Sequence, residues 1–320
     1  MSFFAILLAL GLEQWRAFEW RHSGERLFVR YVRAVERKLN GGTRQHGAFA
    51  VVAALVPPVA GVALLYVVAD ALHPLLGLVV NACILYLLMG FRRFSHALSA
   101  IVAALQTGDL QAARRALGVW RGGSTLDLSA QDVARLAIER GLIDAYRQVF
   151  AVLFWFVVLP GPLGAVLYRS VVLLADEWRG PVPGVAPTPP VLARAEFGQA
   201  AQVLLEWLDW IPVRLTALSF AVVGDFEDAV ACWRTQAAQW STHEGGKAVG
   251  ILLAAGGGAL GVQLGGPLPT LAGDPDARPD LGMGDPVEPE VLPSAVALVW
   301  RALVLWLLLI LLLTLANLAP

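Results

Sequence analysis

Long apolar runs alternate with basic polar stretches along this chain, and that alternation predicts membrane helices. A hydrocarbon core about 30 Å thick needs roughly 20 helical residues to cross it. Leu292 to Leu318 provides such a run, with one charge, Arg301, near its start. Gly47 to Ala69 and Pro74 to Phe91 are two more, joined by the short link Asp70 to His73, the pattern of a helical hairpin that crosses and returns. Pro57 and Pro58 sit inside the first and predict a kink, tolerated where neighbouring groups satisfy the carbonyls that proline leaves free. Phe150 to Leu174 is apolar around Pro160-Gly161-Pro162 and reads either as one kinked span or as a re-entrant pair of half-helices. Met1 to Leu12 lacks a preceding basic region and a following cleavage site, so it reads as a short membrane-entering helix, not a removable signal.

The polar stretches carry their own signals. Thr107-Gly108-Asp109 is a turn and cap between helical patterns at Ser95 to Leu105 and Leu110 to Leu117. Ser129 followed by Asp132 resembles a capping box that opens a helix running into the membrane near Phe150. Pro181 to Pro190 reads as a stiff non-helical linker. A helix from about Ala193 leads into Leu208 to Gly224, which is short for a full span. Asp274 to Glu290, acidic and rich in Pro and Gly, reads as a loop before the last helix.

Charge then orients the pattern. Arginine outnumbers acid in Glu13 to His46 and again in Arg92 to Gln148, the two stretches flanking the hairpin, so the positive-inside rule places both in the cytoplasm. The net charge of only −1 conceals this segregation. With 57% apolar and 15% charged residues in 320, the composition demands a lipid solvent. The expected fold is therefore all-α: a multi-pass helical integral membrane protein with four or five membrane segments. Its expected parts are 1–91, an N-terminal helix, basic segment and hairpin; 92–149, a cytoplasmic helical region; and 150–320, membrane segments with Pro/Gly-rich loops and a C-terminal transmembrane helix.

Local chemistry is sparse. Arg214, in an apolar stretch, calls for compensation by Asp209 about one and a half turns away, by a ligand phosphate, or by snorkelling beside Trp207 and Trp210. The run Gly256-Gly257-Gly258-Ala259-Leu260-Gly261, ending at Gly265-Gly266-Pro267, could present backbone N–H groups to an anion or let helices pack closely. Arg92, Arg93, Arg114 and Arg115 could hold a phosphorylated ligand, although topology and anionic lipid explain them as well. The histidines, His22, His46, His73, His96 and His243, lack metal-ligand spacing; Cys83 and Cys232 lack paired spacing; no nucleophile motif occurs. The expected partner is the lipid bilayer, with no nucleic acid and no resident metal.

Several blocks are similar, in order, to the CobD/CbiB family: Phe94 to Trp120, Phe150 to Trp155, Leu167 to Ser170, Trp210 to Leu218 and Gly258 to Pro267. Others resemble the AmpE branch of the same superfamily: the start MSFFAILLALGLEQW, Leu208 to Val230, and Arg301 to Trp306. The first resemblance implies a membrane enzyme, adenosylcobinamide-phosphate synthase, that condenses adenosylcobyric acid with an aminopropanol or its phosphate, using ATP and Mg²⁺. The second implies an inner-membrane signalling modulator of cell-wall sensing. Carried over by motif, the candidate ligand-binding residues are Arg121, Thr125, Glu139, Asp144, Tyr168, Arg169, Asp209 and Arg214, with no catalytic residue assigned.

The synthase motifs are altered here. Gly-Arg-Asp-Thr stands as Arg121-Gly122-Gly123-Ser124-Thr125, without its Asp, and two further acids fall on Ile143 and Arg147. Arg169 replaces a Lys after Tyr168, and an Asn and an Asp beyond it fall on Val172 and Ala175. Fewer acids mean less charge to hold Mg²⁺. The expectation is thus an AmpE-like, non-catalytic inner-membrane protein that binds a signalling partner or a corrinoid-type ligand. The rival is the synthase, with chemistry repositioned on Glu139, Asp144, Asp127 or Asp176.

Overall fold

The computed structural model describes residues 2–15, 21–122, 125–179, 189–268 and 278–316. It is an all-α membrane fold carrying one small sheet. Three helices are long and apolar enough to cross a bilayer, by length and composition: Arg44–Leu72, Ala130–Val158 and Pro289–Ala316. Shorter apolar helices include Phe3–Glu13, Pro74–Leu88 and Gly246–Leu260. The chain forms two compact units, residues 1–89 with 147–210, and residues 90–146 with 211–320.

In the first unit, α1 (Ser2–Trp15) and α3 (Arg44–Leu72) pack on α4 (Pro74–Leu88), and α2 (Arg21–Leu39) lies against α3. Thr43 caps α3 by accepting from the His46 N–H, and α3 stays helical through Pro57 and Pro58. Proline at 57 removes the donor that would serve the Ala53 carbonyl. The Tyr31 hydroxyl of α2 supplies it instead, at 2.6 Å.

The apolar run around Pro160 is two helices, α8 (Ala151–Val158) and α9 (Leu163–Glu177), packed against each other. Gly161 turns the chain with φ 63°, and a Cβ on Gly164 would sit 1.9 Å from the Trp155 carbonyl oxygen, so the hairpin closes only with glycine there.

Helices α2 and α9 lie side by side, clasped by two ion pairs of opposite polarity. Arg169 reaches Glu25 at 2.8 Å, and Arg33 reaches Glu177 at 2.8 Å. Equal spacing between the pairs on both helices means that the two run in the same direction. Glu177 holds the Arg33 guanidinium above its usual pKa through a hydrogen bond and its charge.

Most of the proline-rich linker, residues 181–188, lies outside the described residues. Its last two prolines do not stay extended: Pro189 and Pro190 open α10 (Pro189–Val223), where the missing N–H groups would have no helical partner anyway.

The second unit is built on α7 (Ala130–Ala145), whose inner face packs on α5 (Phe91–Gln106), α6 (Leu110–Arg121), α12 (Gly246–Leu260) and α13 (Leu292–Ala316). The Ser129 and Asp132 capping box forms in full, and Asp109 caps α6. A π-helical turn, Tyr146–Phe150, follows α7. Helix α11 (Phe226–Gln236) pairs with α12.

The glycines of α12 are packing devices. A Cβ would sit 2.6 Å from Leu142 Cδ1 at Gly256, 2.9 Å from the Gly282 Cα at Gly257, and 2.5 Å from the Asp228 carbonyl at Gly258. Their N–H groups lie inside a helix, which removes these three glycines from the possible anion cradle. The stretch read as a loop before α13 supplies, in its described part, two strands that join one from the glycine-rich run in a sheet of order β2-β1-β3. Strand β1 (Val262–Gly265) is antiparallel to β2 (Asp280–Gly282) and parallel to β3 (Asp285–Pro286). The Gln236 side chain clamps Gly282 from both sides, accepting from its N–H at 2.7 Å and donating to its carbonyl at 3.0 Å.

Candidate functional site

The eight residues singled out in the sequence are divided between the units. Tyr168, Arg169 and Asp209 belong to the first; Arg121, Thr125, Glu139, Asp144 and Arg214 belong to the second. In the first unit Tyr168, fully buried on α9, donates to Asp209 Oδ1 on α10 at 2.8 Å. Arg169 is committed to Glu25.

In the second unit Arg121 ends α6 half-buried, and Arg214 is half-buried on α10. Gly123 and Ser124 of the altered motif lie outside the described residues. Buried Thr125 donates to the Arg114 carbonyl at 2.9 Å, while Arg114 donates its Nε to the Leu128 carbonyl at 2.8 Å. These contacts fold the α6–α7 connection onto α6, so Arg114, considered for phosphate binding, is a loop anchor.

Helix α7 brings the acids into the protein. Asp144 is buried and accepts from the Trp120 indole at 2.9 Å, with Arg140 Nε one turn back at 3.2 Å. Glu139 is buried too, and its Oε1 accepts from the Gly265 N–H at 2.8 Å and from Arg278 at 2.6 Å. Arg278 is itself buried, with its guanidinium 5.0 Å above the Trp240 ring. Burying a carboxylate alone would be prohibitive; a guanidinium, a backbone donor and a ring face make it tenable.

Of the other two acids considered, Asp127 is exposed, and Asp176 pairs with Arg179 at 2.6 Å and Arg147 at 3.5 Å. Sequence reasoning missed Arg278, Trp240 and Arg135, because their roles depend on strand pairing far along the chain.

Next to Glu139 the glycine turn is occupied. Gly265 N–H goes to Glu139, and Gly266 N–H to the Pro279 carbonyl at 3.0 Å. The two N–H groups therefore serve the protein's own acceptors, which removes the rest of the anion cradle. Beside the turn lies a pocket of about 90 Å³ lined by Gln131, Asp132, Arg135, Gln263 and Asp280, with Pro286 and Val287. Arg135 is braced there by Asp132 at 2.7 Å and by the Pro267 carbonyl at 3.1 Å. Among the described residues no three metal-ligating side chains gather.

The family model for the CobD/Cbib protein matches residues 5–299. The chain belongs to the CobD/CbiB family. It is 36% identical over 289 residues to the cobalamin biosynthesis protein CobD of Stutzerimonas stutzeri, covering 89% of this chain and 88% of that protein. To the protein of the same name in Chromobacterium violaceum it is 39% identical over 233 residues, covering 73% of this chain and 70% of that protein. The Geobacter metallireducens CobD is 32% identical over 223 residues, 69% of this chain and 66% of that protein. No solved structure matches.

These CobD relatives overturn the expectation of a non-catalytic, AmpE-like signalling protein. That expectation rested on counting lost acids in short motifs. Similarity to CobD/CbiB proteins extends through nearly the whole chain and outweighs those positions.

Proposed function

We propose that this chain is an adenosylcobinamide-phosphate synthase of cobalamin biosynthesis, a multi-pass protein of the bacterial inner membrane. In this reading it joins the amine of an aminopropanol, or of its phosphate, to a carboxylate of adenosylcobyric acid, and ATP with Mg²⁺ activates that carboxylate. The carrying observation is the CobD likeness over almost the full length of both chains. The basic stretches on either side of the apolar hairpin support the orientation.

The described residues do not form a cage for Mg²⁺, since Glu139, Asp144 and Asp132 each face a guanidinium. Mg²⁺ takes much of its coordination from nucleotide phosphates and water, so in this proposal it arrives with ATP. Glu139, the acid shared with the family, organises Arg278 and the glycine turn at the edge of the polar pocket.

The test is direct. Purified, detergent-solubilised protein is incubated with adenosylcobyric acid, ATP, Mg²⁺ and either amine, and mass spectrometry seeks the amide. ATP-dependent product is expected; folded protein that yields none with either amine ends this reading.

A further inference from the structure

We infer that the slot between Arg135 and Asp280 binds the small amine-bearing substrate, a conclusion that rests on the proposed synthase reading and places one substrate within it. Beside the slot the two charged side chains leave no room for a side chain at residue 266. A Cβ there would lie 2.7 Å from Arg135 Nη1 and 2.8 Å from Asp280 Oδ1, so a cation and an anion face the same point in space. They form no ion pair with each other: Arg135 pairs with Asp132, and the exposed Asp280 carboxylate has no protein partner among the described residues.

Opposite charges this close ordinarily collapse together. Here Arg135 is held by other partners. Arg135 is braced by Asp132 and Pro267, and strand pairing of β2 with β1 sets the backbone at Asp280, with Gly265 opposite it. Gly266, at φ 73°, is tied to Pro279 by its N–H. The Arg135 side of the gap is therefore preorganised, and Gln131 and Gln263 add amide donors and acceptors around it.

What fills such a gap must offer a donor cation to Asp280 and an acceptor oxygen to Arg135 within a few ångströms of each other. The pocket is small and open at its mouth, far too small to enclose a corrin, and it suits a ligand of a few heavy atoms. A vicinal amino alcohol, or its phosphate ester extending out of the open mouth, meets both requirements. The ammonium lies at Asp280 and the hydroxyl or phosphate oxygen at Arg135, which leaves the amine in a defined place for amide formation.

The experiment is calorimetry on the full chain in detergent, titrated with 1-amino-2-propanol, with its O-phosphate and with inorganic phosphate, followed by steady-state amidation. Asp280→Asn keeps the shape and removes only the charge; Gln263→Leu, on an exposed strand position, is the second variant. Expected results are binding of an amino compound in preference to inorganic phosphate, at least tenfold weaker binding in Asp280→Asn and a smaller loss in Gln263→Leu. KM for the amine should rise at least tenfold in Asp280→Asn while KM for ATP is unchanged. Wild-type protein that binds neither amine, or binds inorganic phosphate equally well, overturns the inference, as does an Asp280→Asn variant with wild-type amine affinity. If amine binding depends on Asp280 but no amide forms, the synthase reading fails and the slot stands; if amide forms with an unchanged amine KM, the slot fails alone.

Discussion

Glu139 and Arg278 meet at 2.6 Å inside the second unit, although 139 residues separate them in the chain. The pair ties helix α7 to the chain just before strand β2, and Glu139 also receives the N–H of Gly265 at the end of β1. One carboxylate thus joins helix, sheet and glycine turn.

Removing one member should cost more than removing both. Glu139→Leu leaves the Arg278 guanidinium buried without its counter-ion, and breaking a buried pair this way costs about 3–5 kcal/mol. Glu139→Leu combined with Arg278→Met should recover at least half of that loss. Denaturant unfolding of the single and double variants in the same detergent measures the coupling, and additive losses would show that the pair is not an energetic unit.

Asp144 tests a smaller case. Trp120→Phe removes the indole donor and leaves Arg140, so a loss of about 1–2 kcal/mol is expected, dominated by the unsatisfied carboxylate oxygen. Trp fluorescence and thermal unfolding of this variant report the effect, and an unchanged melting temperature would contradict it.

How much of this was legible follows the range of each interaction. The helix start at Ser129, the turn at Thr107-Gly108-Asp109 and the apolar segments depend on neighbours within a few residues, and the pattern displayed them. The close packing at Gly256, Gly257 and Gly258 stood in the sequence as one of two readings, and the structure selects it. The sheet could not be read, because its strands are two to four residues long and gain their order from pairing across residues 262–286. Glu139 and Asp144 were named as candidates, but Arg278 as the partner of the first depends on distant chain, and local pattern carries no record of it.

Glycine positions separate two kinds of small residue. Gly164→Ala forces a Cβ onto the Trp155 carbonyl and should open the α8–α9 hairpin, with a sharp loss of folded yield and a fall of several degrees in melting temperature. Gly61→Ala, in α3 with nothing within 4 Å of its Cβ, should be neutral or stabilising by up to about 1 kcal/mol. Size-exclusion profiles and thermal unfolding in detergent compare the two, and equal behaviour would refute the packing role assigned to Gly164.

Cys232 offers a chemical readout of the second unit. Burial, and secondarily Asp228, push its thiol above the usual cysteine range, so the reactive thiolate is scarce at neutral pH. Maleimide should fail to label Cys232 in the folded protein at pH 7.5 and label it rapidly after denaturation, with labelling followed by mass spectrometry of the peptide. Rapid labelling under native conditions would show that the α11–α12 packing opens readily.

The last prediction concerns the proline pair in α3. Because Pro57 has no N–H, the Ala53 carbonyl would lack a helical partner, and the Tyr31 hydroxyl fills that role from another helix at 2.6 Å. In a membrane setting water does not readily substitute for a lost donor. Tyr31→Phe should therefore destabilise the first unit by about 1 kcal/mol or somewhat more. Pro57→Ala restores a backbone donor to the same carbonyl, so in that background Tyr31→Phe should cost much less. Unfolding of the four proteins of this cycle in one detergent gives the coupling. A Tyr31→Phe cost that is the same with and without Pro57 would mean that the hydroxyl contributes through packing of α2 on α3 and not through the orphaned carbonyl.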